Sequence, residues 1–558
     1  MPVSDAGVVV IGAGVGGLVS AALLAAQGRT VTVVEAQPGP GGKLRTIAVD
    51  GDAIDAGPTV FTLRSVMEDV FAACGDTLDR HVTMRPAALL ARHAWGPARL
   101  DLFADPAASE DAIGAFAGAA DARGYRAFRA EAKRLFTALD RPFLHATRPG
   151  PLTLGWRMGL RGLGDYCTLR PYTSLWRALG GYFVDPRLRQ LFARYATYCG
   201  ASPMQCPATL MLIAHVEASG VWLIDGGMHR LALALEALGR QGGVRFRYGA
   251  PVRAILVERG RAVGIMLEDG ERIAASAVIC NADPAAIAVG RFGAAVSHAV
   301  TPVPAAHRSL SAMVWTGRAQ AAGFPLARHT VFFSDDYPAE FAALSAGRAA
   351  ARPSVYVCAQ DRSDSGVDDR RDASAPAHTE RVQIIVNAPP IGDGPDTTQE
   401  EIATWTRRML DGVSQAGLSL DLASSTVVTT PSGFEALCPS TGGALYGRAS
   451  HGWAASFRRQ GSRTRIPGLY CAGGSTHPGA GVPMAALSGQ LAADCLLRDH
   501  ASTFVSMHRA MPGGMSTRPA RTAPMASPSS PSSAASSPPI TSSAAGRTPK
   551  TTVRSTSR

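Results

Sequence analysis

A short apolar run, a burst of glycines and an alanine- and leucine-rich stretch begin near Val8, and no other part of the chain restricts the fold as much. Val8–Ile11 is continuously apolar, as a parallel strand buried on both faces requires. Gly12, Gly14 and Gly17 then supply G-x-G-x-x-G, with Gly16 among them. In such a turn Gly12 permits the tight bend, Gly14 lets a pyrophosphate approach the backbone, and Gly17 lets helix and sheet touch. Leu18–Gln27 reads as the helix, whose free N–H groups and positive dipole end face an anion, and Thr30–Val34 as the next strand. Glu35 stands where a carboxylate accepts from ribose hydroxyls, and no arginine follows it, which disfavours a 2′-phosphate. Strand, turn, helix, strand and acid together predict a dinucleotide-binding unit. They do not separate FAD from NAD.

At 558 residues the chain exceeds one simple core. The helical stretch Leu231–Leu238 precedes short strands at Val244–Tyr248, Val252–Glu258, Ala262–Leu267 and Ala277–Cys280, separated by turns such as Asp269-Gly270. Leu469–Cys471 is a last strand before Gly473-Gly474, and a helix follows from about Val482 to Arg498. The expected class is therefore α/β (α+β), with a Rossmann-like cofactor domain discontinuous in sequence. Its parts are residues 1–74, 225–299 and 456–500, interleaved with a substrate domain built from 75–224, helical in pattern from about 75 to 220, and 300–455. Residues 501–558 are rich in Ser, Pro, Ala, Thr and Arg and read as a disordered tail, too poor in apolar side chains to offset its ordering entropy.

That tail also accounts for most of the net charge, since seven of the eleven excess positive charges fall in it. Nucleic acid is accordingly not expected as a partner. The nine cysteines include no C-x-x-C pair, so reduced thiols are expected rather than a zinc site or disulfides. No apolar run is long enough to cross a bilayer, and the first residues lack the basic stretch of a signal peptide. No metal site is indicated.

Gly41-Gly42-Lys43-Leu44-Arg45-Thr46 follows Glu35 and sets flexible backbone beside two cations, where a second pass over the pyrophosphate is expected. With Asp55-Ala56-Gly57-Pro58-Thr59-Val60 and the closing Gly468–Pro483, which holds Gly473-Gly474-Ser475-Thr476-His477-Pro478, this set resembles the carotenoid (phytoene-type) desaturase family. Phe192-x-x-Tyr195-x-x-Tyr198-x-Gly200-x-x-Pro203 is similar to that family too, and Asp55–Leu63, Phe103 and the 109–128 region look most like its 1-hydroxycarotenoid 3,4-desaturases.

The resemblance implies FAD as cofactor, an acyclic C40 carotenoid as substrate, and loss of a hydride to flavin N5 with a proton from the neighbouring carbon. Reoxidation of such a flavin falls to oxygen or a quinone. The FAD site it implies comprises Gly12, Gly14, Gly16, Gly17, Glu35, Gly42, Lys43, Arg45, Val252, Gly473, Gly474, Gly481, Val482, Pro483 and Met484. Pro483 suits a first helical turn, where its missing N–H costs nothing, and that helix N-terminus suits the flavin edge where negative charge develops. His477 is the one weak candidate for a proton acceptor; Tyr195, Tyr198, His215 and His229 read as core residues, and Asp225 as a cap of the helix after it. Leu152–Leu163 mixes Trp156, Met158 and Leu160 with Arg157 and Arg161, equally suited to a membrane interface and to a core helix with snorkelling arginines. The expected location is cytoplasmic, peripheral to the inner or photosynthetic membrane. Competing readings are phytoene desaturation, isomerisation or terminal oxidation on the same scaffold, or a non-catalytic lipid escort.

Overall fold

The structure, a computed structural model, describes residues 6–147, 150–157, 172–362 and 379–509, the last eight as backbone only. A five-stranded parallel sheet holds, in spatial order, Arg245–Arg247, Val31–Val34, Val8–Ile11, Ala277–Cys280 and Leu469–Cys471. Alternate residues of each strand supply different cores. Val8, Val10, Val31, Val33 and Ile279 face the helices Val15–Ala26, Arg230–Gln241 and Val482–Arg509. Val9, Ile11, Val34, Val278 and Cys280 face an antiparallel layer of Val252–Glu258, Arg261–Leu267 and Arg272–Ala274. A strand covered on both sides has no polar face, which is why these runs are unbroken apolar sequence.

The second large sheet has eight strands. Its main path runs from Ser419–Leu422 through Ser311–Ala322, Glu380–Ala388, Val355–Ala359 and His329–Phe332 to Leu89–Trp95 and Ala98–Phe103, with Val427–Thr429 paired to Ser311–Ala322. The expectation of helix through 75–220 fails here. Leu, Ala and Arg in Leu89–Trp95 favour helix intrinsically, yet tertiary pairing overrides propensity. Arg92, buried, makes a bidentate pair with Asp101 on the adjoining strand (2.9 and 2.8 Å) and donates to the Pro325 carbonyl. Helices Pro106–Ala117 and Ala119–Leu139 cover this end, around Phe128, Phe183 and Phe192.

Contacts divide the chain into one compact unit, Met1–Thr503, and a second, Phe504–Arg558. The final helix runs to Arg509 rather than ending near Arg498, so the first residues of the expected tail are helical; 510–558 lie outside the described residues.

Two imidazoles are sealed into the eight-stranded sheet, and burial lowers the pKa of each to about 3. His93 stacks on Phe333, and His329 shares its Nδ1 with the Tyr356 hydroxyl (2.7 Å). Below pH 6.5 the unfolded chain takes up protons that the folded protein refuses. The stability these groups carry is therefore complete above that pH and falls on acidification, by about 1.4 kcal/mol per pH unit for each. Thermal melts from pH 7 to 5 should fall more steeply for the wild type than for His93→Gln. Parallel slopes would contradict it.

Candidate active site

At one end of the parallel sheet the two glycine turns meet. The Gly12 amide donates to the Val34 carbonyl (2.7 Å), the Gly41 amide to the Ala13 carbonyl (2.9 Å), and Gly14 pairs with Gly41. Glu35 closes its strand across them. Its two carboxylate oxygens accept from the amides of Ala13 (2.7 Å) and Gln37 (2.8 Å). Gly12 needs its positive φ of 94°, whereas Gly16 and Gly17 are small for packing. A Cβ on Gly16 would stand 2.7 Å from the Gly473 nitrogen, and one on Gly17 would stand 2.1 Å from the Gly12 carbonyl oxygen. The final helix approaches as closely, since a Cβ on Gly489 would stand 2.4 Å from the Gly16 carbonyl oxygen. Around this junction the side-chain oxygen Oδ1 of Asn281 and Oδ2 of Asp283 are buried without a partner, and the space where a Gly474 Cβ would stand is open. Val252 begins its strand two residues after Ala250, whose amide donates to the Glu35 carbonyl (2.8 Å).

The Gly42 turn packs directly on this junction, with room for a Cβ only 3.4 Å from the Gly14 α-carbon. Lys43 reaches the Leu445 carbonyl with its ammonium. Arg45 touches Thr429 Oγ1 at 3.4 Å and keeps Nε buried and unpartnered, and burial lowers its pKa. Unmatched donor and acceptors, side-chain-free backbone and a helix N-terminus converge here, which is the donor set a dinucleotide's phosphates and ribose need. The residues fit FAD.

From that junction a cavity of about 460 Å³ extends between the two sheets, within the range of small-molecule sites. Gly57–Val60, Lys43 and Gly481–Met484 form one wall, so the final helix starts at the cavity. Most of the lining is apolar, with Leu154, Ile213, Val331, Ile385 and Phe457 among it. Its polar lining includes Gln383, Asn387 and Arg459, and a cluster formed by Arg194, Tyr198 and Glu217. Glu217 accepts from the hydroxyls of Tyr195 (2.5 Å) and Tyr198 (3.0 Å), and Arg194 donates to the Tyr198 hydroxyl (3.1 Å). Burial raises the pKa of both tyrosines, so they stay neutral.

Other sequence candidates fall elsewhere. His477 is buried with its ring against Phe143 and its Nε2 at the Phe143 carbonyl (2.9 Å); the cavity wall takes up the chain only at Pro478. His215 packs on Phe136, and His229 meets the Leu44 carbonyl through Nδ1 (2.8 Å). Asp225 does not cap the next helix; its carboxylate stands 3.9 Å from Arg85, and its amide donates to the Thr83 carbonyl (3.0 Å). Asp55 holds that helix start instead, from 173 residues away in sequence, accepting from the amides of Met228 (2.6 Å) and His229 (3.2 Å). Sequence reasoning missed Arg194, Glu217 and Tyr356 as a group. The only local trace was the Tyr195–Tyr198 spacing, because their meeting depends on three separate segments.

Residues 15–497 match the flavin containing amine oxidoreductase family. An oxidoreductase from Methanosarcina mazei superposes with a TM-score of 0.54 at 18% identity, covering 87% of this chain and 98% of that one. The fold and the cofactor junction thus define a flavin-dependent oxidoreductase of this family, with FAD as its cofactor. The chain is also 48% identical over 523 residues to the hydroxyneurosporene desaturase of Rubrivivax gelatinosus, covering 93% of this chain and 98% of the relative. With that of Cereibacter sphaeroides it shares 46%, over 89% and 98%. Within the flavin oxidoreductases, the chain belongs to the carotenoid desaturases.

Proposed function

We propose that this enzyme introduces the 3,4 double bond into an acyclic C40 carotenoid bearing a 1-hydroxyl group, of the hydroxyneurosporene type. The observation that carries the reading is a mostly apolar cavity that meets the cofactor junction and carries a polar cluster on its wall, in a chain nearly half identical to hydroxyneurosporene desaturases. In this reading the helix start at Val15 and the amides of Gly12–Gly17 receive the pyrophosphate, and Glu35 the ribose. Arg45 and Lys43 lie beside the phosphates and flavin, Val252 near the adenine end, and Gly473-Gly474 and Gly481–Met484 along the ribityl arm and flavin edge. Bound FAD supplies the two-electron acceptor that takes a hydride from an otherwise unreactive C–H bond. The chain's own contribution is orientation: apolar walls hold the polyene in register, and their packing keeps water from the bond being oxidised.

Incubation with liposomal 1-hydroxyneurosporene, neurosporene and phytoene tests the substrate. The hydroxylated carotenoid should lose two hydrogens and shift its absorption to the red. Reaction of phytoene alone would overturn the reading.

A hydrocarbon of this length reaches the enzyme from a bilayer, and the cavity's surroundings support peripheral binding. No described helix is long and apolar enough to cross a membrane. In the short helix at 151–157, Leu154 faces the cavity while Leu152 (90% exposed) and Trp156 (84%) share the outer face. Trp453, at the cavity, stands 5.8 Å from the exposed ring of Tyr172. Residues 158–163 of the candidate interfacial segment lie outside the described residues. Replacing Leu152 and Trp156 by serine removes on the order of 1.5–3 kcal/mol of burial per side chain, so flotation with liposomes should fall at least tenfold. Wild-type protein remaining wholly in the soluble fraction would count against membrane binding.

A further inference from the structure

Arg194 has an unusual position for a cation. It lines the cavity, with its guanidinium carbon 5.1 Å from the ring centre of Tyr198 and 5.3 Å from that of Tyr356. Its charge is matched by Glu217, across the Tyr198 hydroxyl that bridges the two. Among the described residues the guanidinium's one side-chain hydrogen bond is the one to Tyr198, so Nε and Nη2 have no protein acceptor, and neither is sealed away. A guanidinium carries five N–H donors and no acceptor. Hydrocarbon offers these donors nothing, and N–H groups left without an acceptor in an apolar wall are costly. An oxygen atom on the ligand would satisfy it.

We infer that Arg194 is the residue that reads the terminal oxygen of the substrate, with its unmatched N–H groups donating to the hydroxyl. Tyr198 and Tyr356 set their rings beside the guanidinium, and Glu217 holds the Tyr198 hydroxyl to which the guanidinium donates. Tyr356 also donates to Thr59 Oγ1 (2.7 Å), in the Gly57–Val60 wall next to the cofactor junction. In a 1-hydroxycarotenoid a single carbon separates the hydroxyl-bearing carbon from the bond to be oxidised. Whatever grips that oxygen therefore sets which carbons stand before the flavin. The inference rests on the proposed substrate, and supplies the reason one end of an apolar polyene is chosen over the other.

The test is the ratio of kcat/KM for 1-hydroxyneurosporene to that for neurosporene, measured on the same preparation so that the fraction of active enzyme cancels. A hydrogen bond to a charged donor contributes a factor of about ten to a hundred. The wild type should prefer the hydroxylated substrate by about that factor, and Arg194→Met should bring the ratio near one, mainly by raising KM for the hydroxylated substrate. Arg194→Lys, which keeps the charge but fewer donors, should fall between, and serves as the reading if the methionine variant holds no flavin. A ratio unchanged in either variant, or no preference in the wild type, would overturn the role of Arg194. A wild type inactive on 1-hydroxyneurosporene would instead overturn the substrate assignment.

Discussion

Gly16→Val is expected to give a protein that binds no flavin and unfolds early. The Cβ alone would stand 2.7 Å from the Gly473 nitrogen, 2.8 Å from Asn281 Oδ1 and 2.9 Å from the Gly473 α-carbon. Two of these are main-chain atoms of the strand-to-helix connection and cannot swing aside, so the first helix would have to move off the sheet. The final helix leans on the same place through Gly489, and would be displaced with it. Overpacking against backbone sits at the upper end of its range, at least about 3 kcal/mol. Flavin absorbance per protein and the melting temperature should both drop. Gly39→Ala is the matched control, since its Cβ would meet nothing within 4 Å. Normal flavin content in Gly16→Val would refute this account of the junction.

Asp55→Ala should produce the second large loss, about 2–4 kcal/mol, read as a lower urea midpoint. Its carboxylate is the cap of the Arg230–Gln241 helix, and removing it leaves the Met228 and His229 amides unmatched in a buried place. The same residue joins a third segment. Gln360 accepts from the Asp55 amide (3.2 Å) and donates to its carbonyl (2.9 Å). Gly227 must lack a side chain for this contact, because a Cβ there would stand 2.5 Å from Asp55 Oδ2. Burial raises the Asp55 pKa, which means the charged form is held at a cost. Asp55→Asn sheds that cost and keeps one acceptor, so it should lose less than half as much as alanine. Equal losses in the two variants would place the effect in packing rather than in the cap.

The parts of the fold legible from sequence were those whose signal is local. Val8–Ile11, Val252–Glu258, Ala277–Cys280 and Leu469–Cys471 have the boundaries their apolar runs and flanking turns predict. The hairpin Leu89–Phe103 was not legible, because alanine, leucine and arginine carry no strand preference and the pairing that forces them flat comes from His329–Phe332, more than 200 residues on. The site divides in the same way. Its glycines and Glu35 announce themselves by spacing, whereas Asp55 as a distant cap, and Arg194 beside two tyrosines, exist only once separate segments are folded together. Asp225 shows the converse error: an acid just before a helix looks like its cap, but the chain passes through Gly226-Gly227 and delivers a different acid to the task.

The order of strands in the parallel sheet has a consequence for biosynthesis. Val8–Ile11, near its centre, is made roughly 460 residues before the edge strand Leu469–Cys471 and the helix that packs on Gly16. At about 5–20 residues per second, a nascent chain waits some tens of seconds with that flank uncovered. Tight FAD capture therefore waits until that strand and helix have been made. Overproduction that outruns the flavin supply should accumulate fully synthesised apoprotein rather than fragments already holding cofactor.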